Sequence, residues 1–155
     1  MRLRSESFAD GARIPQAYVM PGAGGQNRSP HFQWDEPPAG TLSFALTVID
    51  PHPVARNWVH WLVVDIPPEA RSLAAGASGR AMPKGSRELR NSFGARGYGG
   101  PQPPAGSGEH PYVCTLYAMN VAKLDVTERP TWAQAQQALS GKVLGQARIT
   151  GTYSQ

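Results

Sequence analysis

Residues 58–66 read Trp58-Val59-His60-Trp61-Leu62-Val63-Val64-Asp65-Ile66, and this stretch decides the class of fold. It is apolar on both sides of an extended chain, as a strand is when its sheet is covered on each face. Two other stretches share its character. Thr41 to Ile49 alternates, with Leu42, Phe44, Leu46 and Val48 on one side and smaller or more polar groups opposite. Tyr112 to Val121 is again two-sided and rich in β-branched and aromatic residues. Ala17 to Met20 and Phe32 to Trp34 are expected as short strands separated by the turn-rich Pro21 to Pro30. Thr131-Trp132-Ala133-Gln134 carries the signature of a capping box, after which Trp132, Ala135 and Leu139 share one helical face up to Gly141. A second short helix is expected from Lys142 to Ala147. These readings add up to a mainly β domain closed by one or two C-terminal helices.

The 155 residues fit a single domain spanning 1–155. Gly 17 and Pro 15 make up about a fifth of the chain, well above average usage and without a repeating period, which excludes collagen, coiled coil and helical solenoid. The hydrophobic share of 40% against 17% charged residues is that of a folded chain. Lys and Arg exceed Asp and Glu by only four, and no run of basic residues occurs. That balance suits a small anionic ligand better than nucleic acid. The single cysteine, Cys114, excludes a disulfide framework and reads as inert core. Met1 to Gly11 lacks the apolar stretch of a signal peptide, and nowhere do 18 apolar residues run together. The expectation is a soluble cytoplasmic protein with no transmembrane segment.

Between Ile66 and Tyr112 lies a long stretch dominated by Gly, Pro, Ser and Arg. Two aromatics, Phe93 and Tyr98, stand among its glycines, so an ordered loop packed on the body is expected. Gly97-Tyr98-Gly99 lacks the third glycine of a dinucleotide fingerprint, since Gln102 stands in its place. Around these strands stand the residues that could carry chemistry. Asp50 ends the first strong strand, His60 lies inside the apolar one, and His110 and Tyr112 flank Pro111 at the start of the last. Two residues apart on an extended chain, His110 and Tyr112 can line one cavity. Trp58 and Trp61, three apart, are expected on opposite faces, one in the core and the other as a pocket wall. Each residue alone has an ordinary structural role: a core histidine, a turn-forming Asp before Pro, a packing tyrosine.

Taken in order, Asp50-Pro51-His52-Pro53, Trp58-Val59-His60-Trp61, Gly97-Tyr98-Gly99-Gly100-Pro101 and Gly106-Ser107-Gly108-Glu109-His110-Pro111-Tyr112 resemble one family. It is the phosphatidylethanolamine-binding, or Raf kinase inhibitor-like, proteins, in their bacterial YbhB/YbcL branch. The resemblance runs from Phe8-Ala9-Asp10-Gly11 through Asn91-Ser92-Phe93-Gly94 to Gly151-Thr152-Tyr153, nearly the whole chain. It implies a β-sandwich built on a large antiparallel sheet, with a pocket for phosphate-like anions or phospholipid head groups. On this resemblance Asp50, His60, His110 and Tyr112 form the pocket, Trp58 its aromatic wall, and Pro51 with the Gly106 to Gly108 turn its rim. No cofactor is implied. A protein partner, as the kinase-inhibitor label suggests, and a homodimer are both compatible with it.

Two places depart from the family's usual pattern: His52 stands where an aspartate is usual, with Pro53-Val54 after it, and Pro111 stands where an arginine is usual. A carboxylate and a guanidinium are thus both missing near the rim. In such a pocket the imidazoles and the phenol are expected to donate to an anion. Asp50 then either accepts from a histidine ring N–H, favouring the cationic imidazole, or holds the ammonium of a zwitterionic head group. The first needs only protein groups and is preferred. His110, on a loop end, is expected to be removable without loss of the fold. Two enzyme readings compete with the binding pocket. Asp50, His60 and His110 could form a two-histidine, one-carboxylate metal triad, although the tight spacing of such sites is missing. A serine hydrolase fits less well, because neither Ser78 nor Ser107 stands in Gly-x-Ser-x-Gly.

Overall fold

The computed structural model describes residues 1–155. Its strands are β1 (Arg2–Arg4), β2 (Phe32–Asp35), β3 (Ser43–Asp50), β4 (Trp58–Ile66), β5 (Ser72–Leu73), β6 (Arg87–Glu88), β7 (His110–Met119) and β8 (Val143–Tyr153), with one helix, α1 (Trp132–Leu139), before the last. Five strands form an antiparallel sheet in the order β6-β4-β3-β7-β8, and three form a smaller one in the order β1-β2-β5. The fold is mainly β, as the sequence implies.

Both faces of the large sheet are covered, which is why β3 and β4 are apolar on both sides. Against the small sheet, Phe44, Leu46, Val48, Trp61, Val63, Leu116 and Ile149 meet Leu3, Phe32, Trp34 and Leu73. On the opposite face Ala45, Ile49, Val59, Leu62 and Val64 pack with Ala135 and Leu139 of α1. Burying a side chain of this size contributes roughly 1.5–3 kcal/mol. The helix starts where expected: Thr131 Oγ1 accepts from Gln134 N and Gln134 Oε1 from Thr131 N.

The short strand expected at Ala17–Met20 is instead a 3₁₀ turn over Gln16–Tyr18. Pro15 O accepts from Tyr18 N and Gln16 O from Val19 N, and Val19 closes the turn fully buried. The second helix expected over Lys142–Ala147 is the first half of β8. Ten residues of β7 are in register with β8. That ladder supplies the backbone partners an isolated helix of this length would have to find alone. The Gly/Pro-rich stretch after β4 is ordered on the body. Tyr98 is buried and its hydroxyl donates to Tyr18 O at 2.7 Å. No helix is long and apolar enough to cross a membrane.

Candidate ligand-binding site

The strands β4, β3 and β7 are neighbours, and at one end of them Trp58 and His60, Asp50, and His110 and Tyr112 line one cavity of about 550 Å³. A β-bulge makes this convergence work. Val48 pairs with Trp61 and Ile49 with Val59, so His60 is the extra residue on β4. The bulge cancels the alternation. Val59 faces the helix side, while His60 and Trp61 both turn toward Tyr112. The expectation that Trp58 and Trp61 lie on opposite faces therefore fails: Trp61 is buried in the sandwich core, and Trp58 lines the cavity that opens beside it.

Asp50 is buried and uses both carboxylate oxygens on protein groups. Oδ2 lies 2.6 Å from His110 Nδ1, and Oδ1 accepts from His52 N at 2.9 Å. His110 is 1% exposed, which corrects its reading as a dispensable rim residue. Its Nε2 lies 2.8 Å from Ser107 Oγ, whose proton is given to Pro104 O at 2.7 Å. His110 is thereby held between Ser107 Oγ and the Asp50 carboxylate. His52 stacks on it, with ring centroids 3.8 Å apart and an interplanar angle of 11°. His52 Nδ1 accepts from Val54 N at 3.1 Å.

His60 differs in every respect. Its Nδ1–H donates to Gly99 O at 2.7 Å, which leaves Nε2 as a lone-pair acceptor with no protein partner. Burial lowers its pKa from 6.5 to about 4, against the smaller opposing pull of Gly99 O and Asp50. The sequence-based picture of two histidines donating to an anion is thus corrected for this ring. Beside it, Tyr112 OH is buried without a hydrogen-bond partner, and burial, with Asp50 second, pushes its phenol far up, so it stays a neutral donor. The inner end of the cavity offers one donor, one acceptor and the mutually bonded Asp50 and His110.

The mouth is apolar: Val54, Trp58 and Phe93 are its exposed hydrophobic residues, with Pro103 and Pro104 beside them. Neither Val54 nor Phe93 was assigned to the pocket from the sequence, although Phe93 was expected to pack its loop on the body. Pro51, Gly106 and Gly108 do not line the cavity, which corrects their assignment to its rim. Gly108 has φ +91 and open space around a would-be Cβ. Its role is the turn that brings Ser107 under His110. Replacing Gly108 by Val is expected to cost roughly 1–3 kcal/mol in chemical unfolding through backbone strain, with less than a twofold change in ligand affinity.

Two enzyme arrangements can be set against this geometry. Ser107, His110 and Asp50 stand in the order and spacing of a nucleophile, base and orienting acid. Yet Ser107 directs its proton to Pro104 O and lies outside the cavity lining, so it orients His110. Asp50, His60 and His110 form no cluster able to hold a metal ion, because Asp50 and His110 spend their ligating atoms on each other, on Ser107 and on the backbone.

The family model for phosphatidylethanolamine-binding protein matches residues 4–154. The chain belongs to the phosphatidylethanolamine-binding protein family. It is 40% identical to UPF0098 protein YbhB of Escherichia coli strain K12 over 99% of this chain and 100% of that one. It is 42% identical to the putative lipoprotein LppC of Mycobacterium tuberculosis, covering 99% of this chain and 72% of the relative. The crystal structure of E. coli YbcL, a member of the same family, superposes with a TM-score of 0.92 at 32% identity, over 99% of this chain and 98% of that one. His52, at the first of the departures read from the sequence, stacks on His110. Pro111, where arginine is usual, sits in β7 opposite Thr152 of β8.

Proposed function

We propose that the protein is a non-enzymatic binding protein whose cavity takes an amphiphile with a phosphate-like head group, such as a phospholipid head group with its apolar remainder in the mouth. The observation that carries this reading is the unpartnered Tyr112 hydroxyl at the polar end of an otherwise apolar cavity. Leaving such a donor unsatisfied costs about 1–3 kcal/mol, which an entering acceptor oxygen relieves. Because His60 Nε2 is an acceptor, the favoured head group also carries a proton to give. A singly protonated phosphate or a phosphoethanolamine meets both demands. Family membership supports the same class of ligand.

Calorimetric titration with water-soluble dihexanoyl phosphatidylethanolamine tests this. Tyr112→Phe is expected to weaken binding about tenfold, the equivalent of about 1.4 kcal/mol, without lowering the unfolding midpoint, since the lost hydroxyl has no partner in the free protein. Equal affinities in parent and variant would overturn the reading. A fluorophosphonate is expected to leave Ser107 unlabelled, and a covalent adduct there would show that the protein is a hydrolase.

A further inference from the structure

A second cavity of about 570 Å³ opens on the far side of the Gly97–Gly100 segment, and its lining is the chemical opposite of the first. Three loops distant in sequence build it: Gln26–Ser29, Ala75–Arg80 and the turn around Arg96 and Tyr98. Each contributes one arginine, and no Asp or Glu lines the space. We propose that this cavity is a binding site for a small, hydrophilic polyanion, of the class of inorganic polyphosphates and organic phosphates.

The loops are held by contacts that leave the Arg28 and Arg80 guanidinium groups free of any carboxylate. Asn27 clamps the Tyr98–Gly100 backbone: its Nδ2 donates to Tyr98 O at 3.3 Å and its Oδ1 accepts from Gly100 N at 2.7 Å. Ser78 Oγ accepts from Tyr98 N and donates to Glu88 Oε1 at 2.5 Å. Glu88 is the carboxylate beneath the floor. It is fully engaged, with Oε1 also accepting from Trp61 Nε1 at 2.8 Å and Oε2 from Gly79 N at 2.8 Å, and it forms no ion pair with any of the three arginines. Arg28 lies across the backbone at Gly76, where its Nε would stand only 3.2 Å from a Cβ, so a side chain there would displace it. Arg96 pairs with Glu128 at the exposed edge, whereas Arg28 and Arg80 have no carboxylate partner.

Gathering three guanidinium groups around one concavity costs mutual repulsion that an anion between them would remove. Each guanidinium presents paired N–H donors that match two oxygens of one phosphate. Ala75 and Tyr98 are the only apolar residues of the lining, which excludes an acyl chain and separates this ligand class from the amphiphile of the first cavity. The floor's negative charge at Glu88 favours a ligand that bridges the arginines above it over a single ion seated deep.

The test is a ¹H–¹⁵N NMR titration of the whole chain with inorganic pyrophosphate, the ionic strength held constant with sodium chloride. Saturable shifts are expected at the amides of Gly76, Ser78, Gly79, Arg96 and Tyr98. Affinity should fall at least tenfold in Arg28→Gln/Arg80→Gln and about threefold in Arg80→Gln alone. Both side chains are exposed, and the variant spectra themselves report that the fold is kept. Shifts that do not saturate, or that persist unchanged in the double variant, would reduce the effect to general screening of positive charge and overturn the proposal. Saturation centred on His110 and Tyr112 instead would place the polyanion in the first cavity and overturn it equally. The reading of the first cavity rests on a different probe and different reporter residues, so either proposal can fail alone.

Discussion

Replacing His110 by alanine is expected to destabilise the protein by about 3–5 kcal/mol, as removal of one partner from a buried ion pair does. Asp50 is 2% exposed and would lose its partner at Oδ2, His110 Nδ1 at 2.6 Å. The same change removes the ring on which His52 stacks. Urea unfolding of the variant should show this loss, and Asp50→Asn/His110→Ala should regain a large part of it by removing the stranded charge. Should the alanine variant fail to fold, His110→Gln, which retains a donor toward Asp50, provides the comparison and is expected to lie between the two. A loss below about 0.5 kcal/mol, the range of ordinary surface changes, would show that Asp50 and His110 are not a coupled pair. Because this residue supports the fold as well as the cavity, loss of ligand binding in His110→Ala does not by itself report a contact. Tyr112→Phe does.

The second large effect is on pH. His60 has its pKa depressed from 6.5 to about 4 by burial, so the folded state disfavours its protonated form. The unfolded chain takes up this proton as the pH falls through 6.5, while the folded chain resists until about 4. The unfolded state then binds more protons, and stability falls with falling pH across that window. The stabilisation is fully present above 6.5, is lost progressively between about 6.5 and 4, and changes no further below. At about 1.4 kcal/mol per unit the loss is about 3 kcal/mol. His60→Gln keeps an N–H for Gly99 O and does not titrate, so its stability should lack this slope. The unfolding free energy of both proteins, followed from pH 7.5 to 4, decides the matter: parallel curves would mean that His60 is hydrated and titrates normally.

Much of the site was legible because it rests on strand ends. Asp50, His60, His110 and Tyr112 each stand at a position that the pattern of apolar residues places in or beside a strand, and the resemblance joins them into one cavity. Their chemical roles were less legible. That His60 is neutral follows from its depth, and which ring nitrogen carries its proton follows from Gly99 O, which comes from a loop 39 positions away. That Asp50 has no free oxygen follows from His52 N on one side and His110 on the other. Ser107, set aside as a nucleophile, proves to be the second anchor of His110, a contact three residues apart that needs the turn at Gly108 to form.

The sequence by itself determined the β class, the three long central strands and the capped C-terminal helix. Periodicity and capping act within a few residues, so the information lies where the structure forms. The family resemblance carried by its motifs, rather than periodicity, joined Asp50, His60, His110 and Tyr112 into one cavity. The tertiary structure alone decided that Val143–Tyr153 is an edge strand of the large sheet, since its backbone partners belong to β7. It decided, through one extra residue at His60, that alternation along β4 breaks and both tryptophans turn the same way. And it decided that His60 resists protonation, because burial and hydrogen-bond partners are properties of neighbours in space that no stretch of chain contains.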